Sequence, residues 1–139
     1  MRHKNSISQI NLERNKEIKR LYRQAQSIAG SPVTIDRICH IMANLPCDRF
    51  YLSDYWALRY VKNRRRGKIK KFGNPQKQTL YNAFYNTFVQ LSRSSEYKDK
   101  SIETVVYAAL EKPAPIIGLS AAFLKNVLRY KLNIYQYEK

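Results

Sequence analysis

Three features of the sequence predict an all-α fold of about six helices. Apolar residues recur at three- and four-residue spacing along most of the chain, as in a helix with one buried face. Small polar residues that cap helices, two of them followed by proline, alternate with glycine and proline stops. No stretch alternates apolar and polar residues for long enough to make a strand. The 139 residues fit a single domain, 1–139. A 44% hydrophobic content supports a real core, and four glycines with five prolines argue against a long disordered linker.

The first helix is predicted over about Ser8 to Ala29, with Ile18, Leu21, Tyr22, Ala25 and Ile28 on its apolar face. Arg14, Lys16, Lys19, Arg20 and Arg23 fall elsewhere on it, and Gly30 stops it. Ser31-Pro32 opens the second helix as N-cap and first-turn proline. That helix turns Ile35, Ile38, Cys39 and Met42 inward, and Pro46 limits it. Ser53 caps the third, which presents Trp56, Ala57, Tyr60 and Val61 to the core and closes at Gly67.

Asn74-Pro75 starts the fourth helix, which runs to about Arg93 with Leu80, Phe84, Phe88 and Leu91 on one face. Ser94 to Lys100 reads as a polar turn. The fifth helix, about Ser101 to Lys112, carries Ile102, Val105, Val106, Ala109 and Leu110, and Pro113 and Pro115 end it. Ser120 caps the sixth, which buries Phe123, Leu124, Val127, Leu128 and Leu132. The tail from Asn133 is expected as an extended end. Phe50-Tyr51-Leu52 and Ile116 to Leu119 are short apolar runs, placed in loops buried between helices.

Caps, breakers and apolar phase also repeat. A shift of 67 residues brings Ile35 onto Ile102, Asp36 onto Glu103, Pro46 onto Pro113, Ser53 onto Ser120, Trp56 onto Phe123 and Val61 onto Leu128. The sequence therefore suggests a three-helix unit used twice, 8–67 and 75–134, packed as a pseudo-twofold pair.

Charge decides the class of partner. There are 26 Lys or Arg against 10 Asp or Glu, a formal charge of +16. Such an excess opposes compaction unless an anionic partner compensates it. Its densest part is Leu45 to Lys71. Arg59, Lys62, Arg64, Arg65, Arg66, Lys68, Lys70 and Lys71 stand there without an intervening acid, and after Asp54 the next carboxylate is Glu96. Arg59, Lys62 and Arg66 are spaced to share a helix face. Lys125, Arg129 and Lys131 form a thinner counterpart on the last helix. These eleven residues are the candidate phosphate ligands.

A cationic helix end also complements the helix dipole, but this run is denser than that role needs. Lys16, Lys19, Arg20 and Arg23 could continue the patch. Tyr55 and Tyr60 could stack on bases or donate to phosphates. Arg49 reads equally as a structural arginine or a phosphate ligand. In each half a short helix, a proline-containing link and a serine-capped helix suggest a loose helix-turn-helix. The link from Leu45 to Leu52 is longer than the usual turn.

Nothing points to catalysis. Cys39, His40 and Cys47 lack the paired spacing of a zinc site, and Cys39 reads as a small buried apolar residue. The acids are scattered, without the convergence a metal-dependent nuclease needs. There is no phosphate-binding glycine loop and no nucleophile elbow. No apolar run could span a membrane. The basic N-terminal stretch lacks the apolar centre of a secretory signal, and two cysteines make no disulfide framework, so a cytoplasmic location is expected.

Pro46-Cys47-Asp48-Arg49-Phe50-Tyr51-Leu52-Ser53, followed by Trp56, Ala57 and Val61, resembles a pattern in small uncharacterised bacterial proteins. In them a Pro-x-x-Arg-Phe-Tyr-x-Ser stretch precedes a basic helix. The resemblance implies no activity and favours a binding role in a phage or mobile-element setting. The second half departs from it, with Ile116-Ile117-Gly118 in place of Arg-Phe-Tyr.

The expectation is a non-enzymatic, cofactor-free nucleic-acid-binding protein that takes duplex DNA. Paired halves, or a homodimer, would extend the footprint. The alternative is a basic assembly subunit docking on an acidic protein or on RNA. Binding to a membrane surface is weaker still, because no amphipathic helix beside the basic run supplies anchorage.

Overall fold

The structure, a computed structural model, describes residues 7–30 and 32–132. It is all-α. The described helices are α1 (Ile7–Ala29), α2 (Ile35–Ala43), α3 (Asp54–Arg65), α4 (Pro75–Ser92), α5 (Ile102–Leu110) and α6 (Ala121–Asn126). A π turn, Val127–Lys131, continues α6, with the Leu132 N–H reaching back to the Val127 carbonyl at 2.9 Å. The sequence carries no signal for that widening. Asn133 to Lys139, expected as an extended end, lie outside the described residues, as does Ser31.

Side-chain caps start five of the helices. Thr34, Ser53, Ser101 and Ser120 each accept from the N–H three residues on, and Asn74 accepts from Gln76 and Lys77. Each such cap is worth about 1 kcal/mol. The cap of α2 is thus Thr34, not Ser31 as expected: Pro32 stands before the helix rather than in its first turn. Gly30 and Gly67 stop α1 and α3 at φ 75° and 84°, conformations that cost other residues a steric clash.

One cluster of buried side chains draws on all six helices. α2 lies against α1 and α6, while α5 lies against α4 and α3. In a helix-turn-helix the two consecutive helices pack together. Here α3 instead finds its main partner in α5, so the expected motif geometry is not what positions α3. In the links between α2 and α3 and between α5 and α6 the apolar runs are buried, as expected: Phe50, Tyr51 and Leu52 in the first, Ile117 and Gly118 in the second. Cys47 and Ala114 form an isolated antiparallel bridge, and Phe50 sits edge-on to Phe84 with ring centres 5.4 Å apart. Both rings are fully buried.

Three apolar assignments need correction. Ile28 is 58% exposed, because the buried face of α1 ends at Ala25, one turn before the helix does. Trp56 is 47% exposed and Phe123 42% exposed, although the sequence pattern predicts both in the core. The inward stripe of α3 is Ala57, Tyr60 and Val61, and one residue earlier the chain has turned about 100° to its flank. On α6 the inward position is Leu124, and Arg14 covers the Phe123 ring at 5.7 Å.

Candidate nucleic-acid interface

α3 enters the interior as a capped helix and leaves it as a cation-bearing one. The Ser53 Oγ accepts from the Trp56 N–H, and Asp54 stands in the first turn, where the dipole favours a carboxylate. At the far end the N–H groups of Gly67 and Lys68 turn back to the carbonyls of Arg64 and Asn63, at 3.0 and 2.9 Å. This closure ends the helix and redirects the chain into the stretch 68–74.

That stretch is tied down in the middle. The Phe72 N–H donates to Gln78 Oε1 at 2.9 Å, and its ring stacks on Tyr81 with centres 4.6 Å apart. Tyr60 approaches the same ring at 6.2 Å. The Nζ atoms of Lys70 and Lys77 lie 5.2 and 5.4 Å from the Phe72 centroid. Phe72 therefore anchors the stretch that carries Lys70 against α4, which carries Lys77. Burial, reinforced by Tyr60, pushes the Tyr81 phenol up to about 12, so it stays protonated.

The eleven candidate residues divide. Arg59, Arg65, Arg66, Lys68, Lys70 and Lys71 are exposed and make no ion pair among the described residues. Arg64 is half-buried. Its Nη1 donates to the Tyr60 hydroxyl at 2.8 Å and to Asn82 Oδ1 at 3.3 Å, and its guanidinium lies 4.3 Å from the Tyr85 centroid. It latches α3 onto α4. Lys62 stands 3.7 Å from Glu103 on α5. Lys125 stands 3.0 Å from Asp36 on α2, Arg129 is half-buried and partnered, and Lys131 is exposed.

Arg49 is structural. Its Nη1 lies 3.3 Å from Glu13 and 3.6 Å from Glu111, its Nε donates to the Phe50 carbonyl, and its side chain is 11% exposed. On α1, Arg20 is held by Glu17, whereas Lys16, Lys19 and Arg23 are exposed.

Two depressions flank the exposed face of α3. Arg59, Lys62 and Arg66, predicted to share a face, line one of about 260 Å³. The larger, about 400 Å³, opens between α3, α4 and the 68–74 stretch. Trp56, Tyr60, Phe72 and Tyr81 give its aromatic wall, and Arg59, Lys68, Lys70 and Lys77 its cations. The sequence pattern does not single out Phe72, Lys77 or Asn63. The signal for Phe72 was one aromatic between two lysines and a cap-proline pair.

Among the described residues no three His, Cys, Asp or Glu side chains gather as metal ligands, and no helix is long and apolar enough to cross a membrane. Cys39 and Cys47 are buried, and burial pushes their thiols up to about 11 and about 12. No family model, curated protein or solved structure matches the chain.

Proposed function

We propose that the protein binds nucleic acid without reacting on it, through the phosphates of duplex DNA. The observation that carries this reading is the exposed, acid-free group of Arg59, Arg65, Arg66, Lys68, Lys70 and Lys71. An exposed cation without an ion pair contributes nothing to the fold by pairing, and neighbouring like charges repel one another. A polyanion removes that repulsion and releases its own condensed counterions as it binds. The helix closure at Gly67 and the Phe72 anchor support the reading, because they fix the cations in place beforehand.

The same reading takes the two halves as one three-helix unit used twice. α2 and α5 are both nine residues long and start 67 apart, at Ile35 and Ile102. Ser53 and Ser120, with the same offset, make the same cap. Asp36 and Glu103 each take a lysine from a third helix of the opposite half, Lys125 and Lys62. The phosphate-binding face would then belong to one copy, since the positions 67 after Arg65, Arg66, Lys68, Lys70 and Lys71 are Leu132, Asn133, Tyr135, Tyr137 and Glu138. Titration of the purified, nuclease-treated protein with labelled duplex DNA, single-stranded DNA and RNA tests the function. Tight, salt-sensitive binding of the duplex is expected, and weak binding to all three would sink it.

A further inference from the structure

The larger cleft beside α3 has features that phosphate binding alone does not use. We infer that it receives one unpaired nucleotide of a bound strand, with the base against Trp56 and the phosphates at Arg59, Lys68 and Lys70. This rests on the nucleic-acid reading above.

Size permits it, since about 400 Å³ lies at the lower end of small-ligand sites and suits a single nucleotide. Chemistry favours it. A tryptophan at 47% exposure is a large apolar residue to leave in water, and it stands on the wall of a cationic cleft. Tyr55 meets that indole edge-on, at 5.0 Å and 84°, rather than lying flat on it. Phe72 and Tyr81, stacked on one another at 18°, make another part of the aromatic lining rigid. Asn63, on the same lining, offers both a donor and an acceptor to a base edge.

Other occupants use only part of this. An acidic peptide would satisfy the cations and leave the rings uncovered. A base inside a duplex has both faces stacked and its pairing edge occupied, so it cannot enter. An unpaired nucleotide brings a flat ring, a hydrogen-bonding edge and a phosphate on each side. No carboxylate lines the cleft among the described residues, so nothing there repels the backbone.

The test compares a blunt labelled duplex with the same duplex carrying a short single-stranded thymidine extension. Binding is followed by anisotropy for the native protein, Trp56→Ala and Trp56→Phe. The extended DNA should bind about 5- to 100-fold more tightly than the blunt one. Trp56→Ala should abolish that preference and leave blunt-duplex affinity unchanged, and Trp56→Phe should keep most of it. Because Trp56 is the sole tryptophan, the extension should also quench the native fluorescence. No preference in the native protein, or a preference that survives in Trp56→Ala, overturns the cleft while blunt-duplex binding stands. Equal quenching by a free mononucleotide at the same concentration overturns the strand as its source. Failure of both DNAs to bind at low salt removes the nucleic-acid reading, and the cleft assignment with it.

Discussion

Cys47 and Ala114 exchange both of their backbone hydrogen bonds: the Cys47 N–H donates to the Ala114 carbonyl at 2.9 Å, and the Ala114 N–H to the Cys47 carbonyl at 3.0 Å. The two residues lie 67 apart, the same offset that relates Ile35 to Ile102 and Ser53 to Ser120. If the chain is a unit used twice, as proposed above, a pair between equivalent positions is what a twofold axis through the bridge would produce. Both residues are buried, so neither amide could turn to water if the bridge were lost.

Ala114→Pro removes one of those donors and strands the Cys47 carbonyl. Urea unfolding should show a loss of about 1 to 3 kcal/mol. A change within error would mean that the bridge contributes nothing to holding the two inner links together.

Gly118 is the one described glycine that combines a left-handed backbone with a close neighbour. Its φ is 84°, and a Cβ there would meet Leu80 Cδ2 at 2.5 Å and Leu80 Cβ at 3.1 Å. Gly118→Ala should lower stability by about 2 to 4 kcal/mol, from backbone strain plus overpacking. Gly30→Ala, at φ 75° with nothing within 4 Å, isolates the strain and should lose about 1 kcal/mol. Equal losses in the two variants would contradict the contact with Leu80.

Burial raises both thiols, to about 11 for Cys39 and about 12 for Cys47, from an unfolded value of 9.0. The folded state therefore disfavours ionisation. The stability this reflects is fully present below about pH 9 and is lost as pH rises through the folded values. Native protein at pH 8 should react slowly with a thiol reagent and quickly in urea. The double variant Cys39→Ala, Cys47→Ala should lack part of the native chain's stability loss between about pH 9 and pH 11. Rapid reaction in native buffer would contradict the burial.

Arg65 and Arg66 are exposed and make no ion pair among the described residues, whereas their neighbour Arg64 is hydrogen-bonded to Tyr60 and Asn82. Replacing Arg65 and Arg66 by alanine should weaken binding to every duplex sequence alike and flatten the log–log salt slope by about 2. Unfolding should shift by no more than about 0.5 kcal/mol. Arg64→Ala should instead destabilise the fold by about 1 to 3 kcal/mol. Loss of stability without loss of affinity in the Arg65, Arg66 variant would place both in the fold rather than the interface.

Helix positions were legible in the sequence because caps and stops are local. Ser53, Asn74, Ser101 and Ser120 all open their helices where expected. Facing was less legible. Trp56 and Phe123 sit next to inward positions, and hydrophobicity alone cannot say on which side of the stripe's edge a ring will lie. That both err the same way, 67 residues apart, fits a shared unit.

The basic run was plain as composition, but its division was not. Arg64 and Arg65 are identical in sequence, and only the tertiary approach of Tyr85 and Asn82 turns one into a latch. Lys62 likewise meets Glu103, 41 positions later, a pairing no local pattern encodes.

The central claim is that exposed cations at the end of α3 bind nucleic-acid phosphates, and the salt dependence of duplex binding tests it most directly. Affinity for a labelled duplex would be measured between about 50 and 300 mM salt. Neutralising about six to eight phosphates predicts a log–log slope of about −5 to −7. Binding that is weak at low salt, or that hardly changes with salt, would contradict the claim and assign the charge to an acidic protein partner instead.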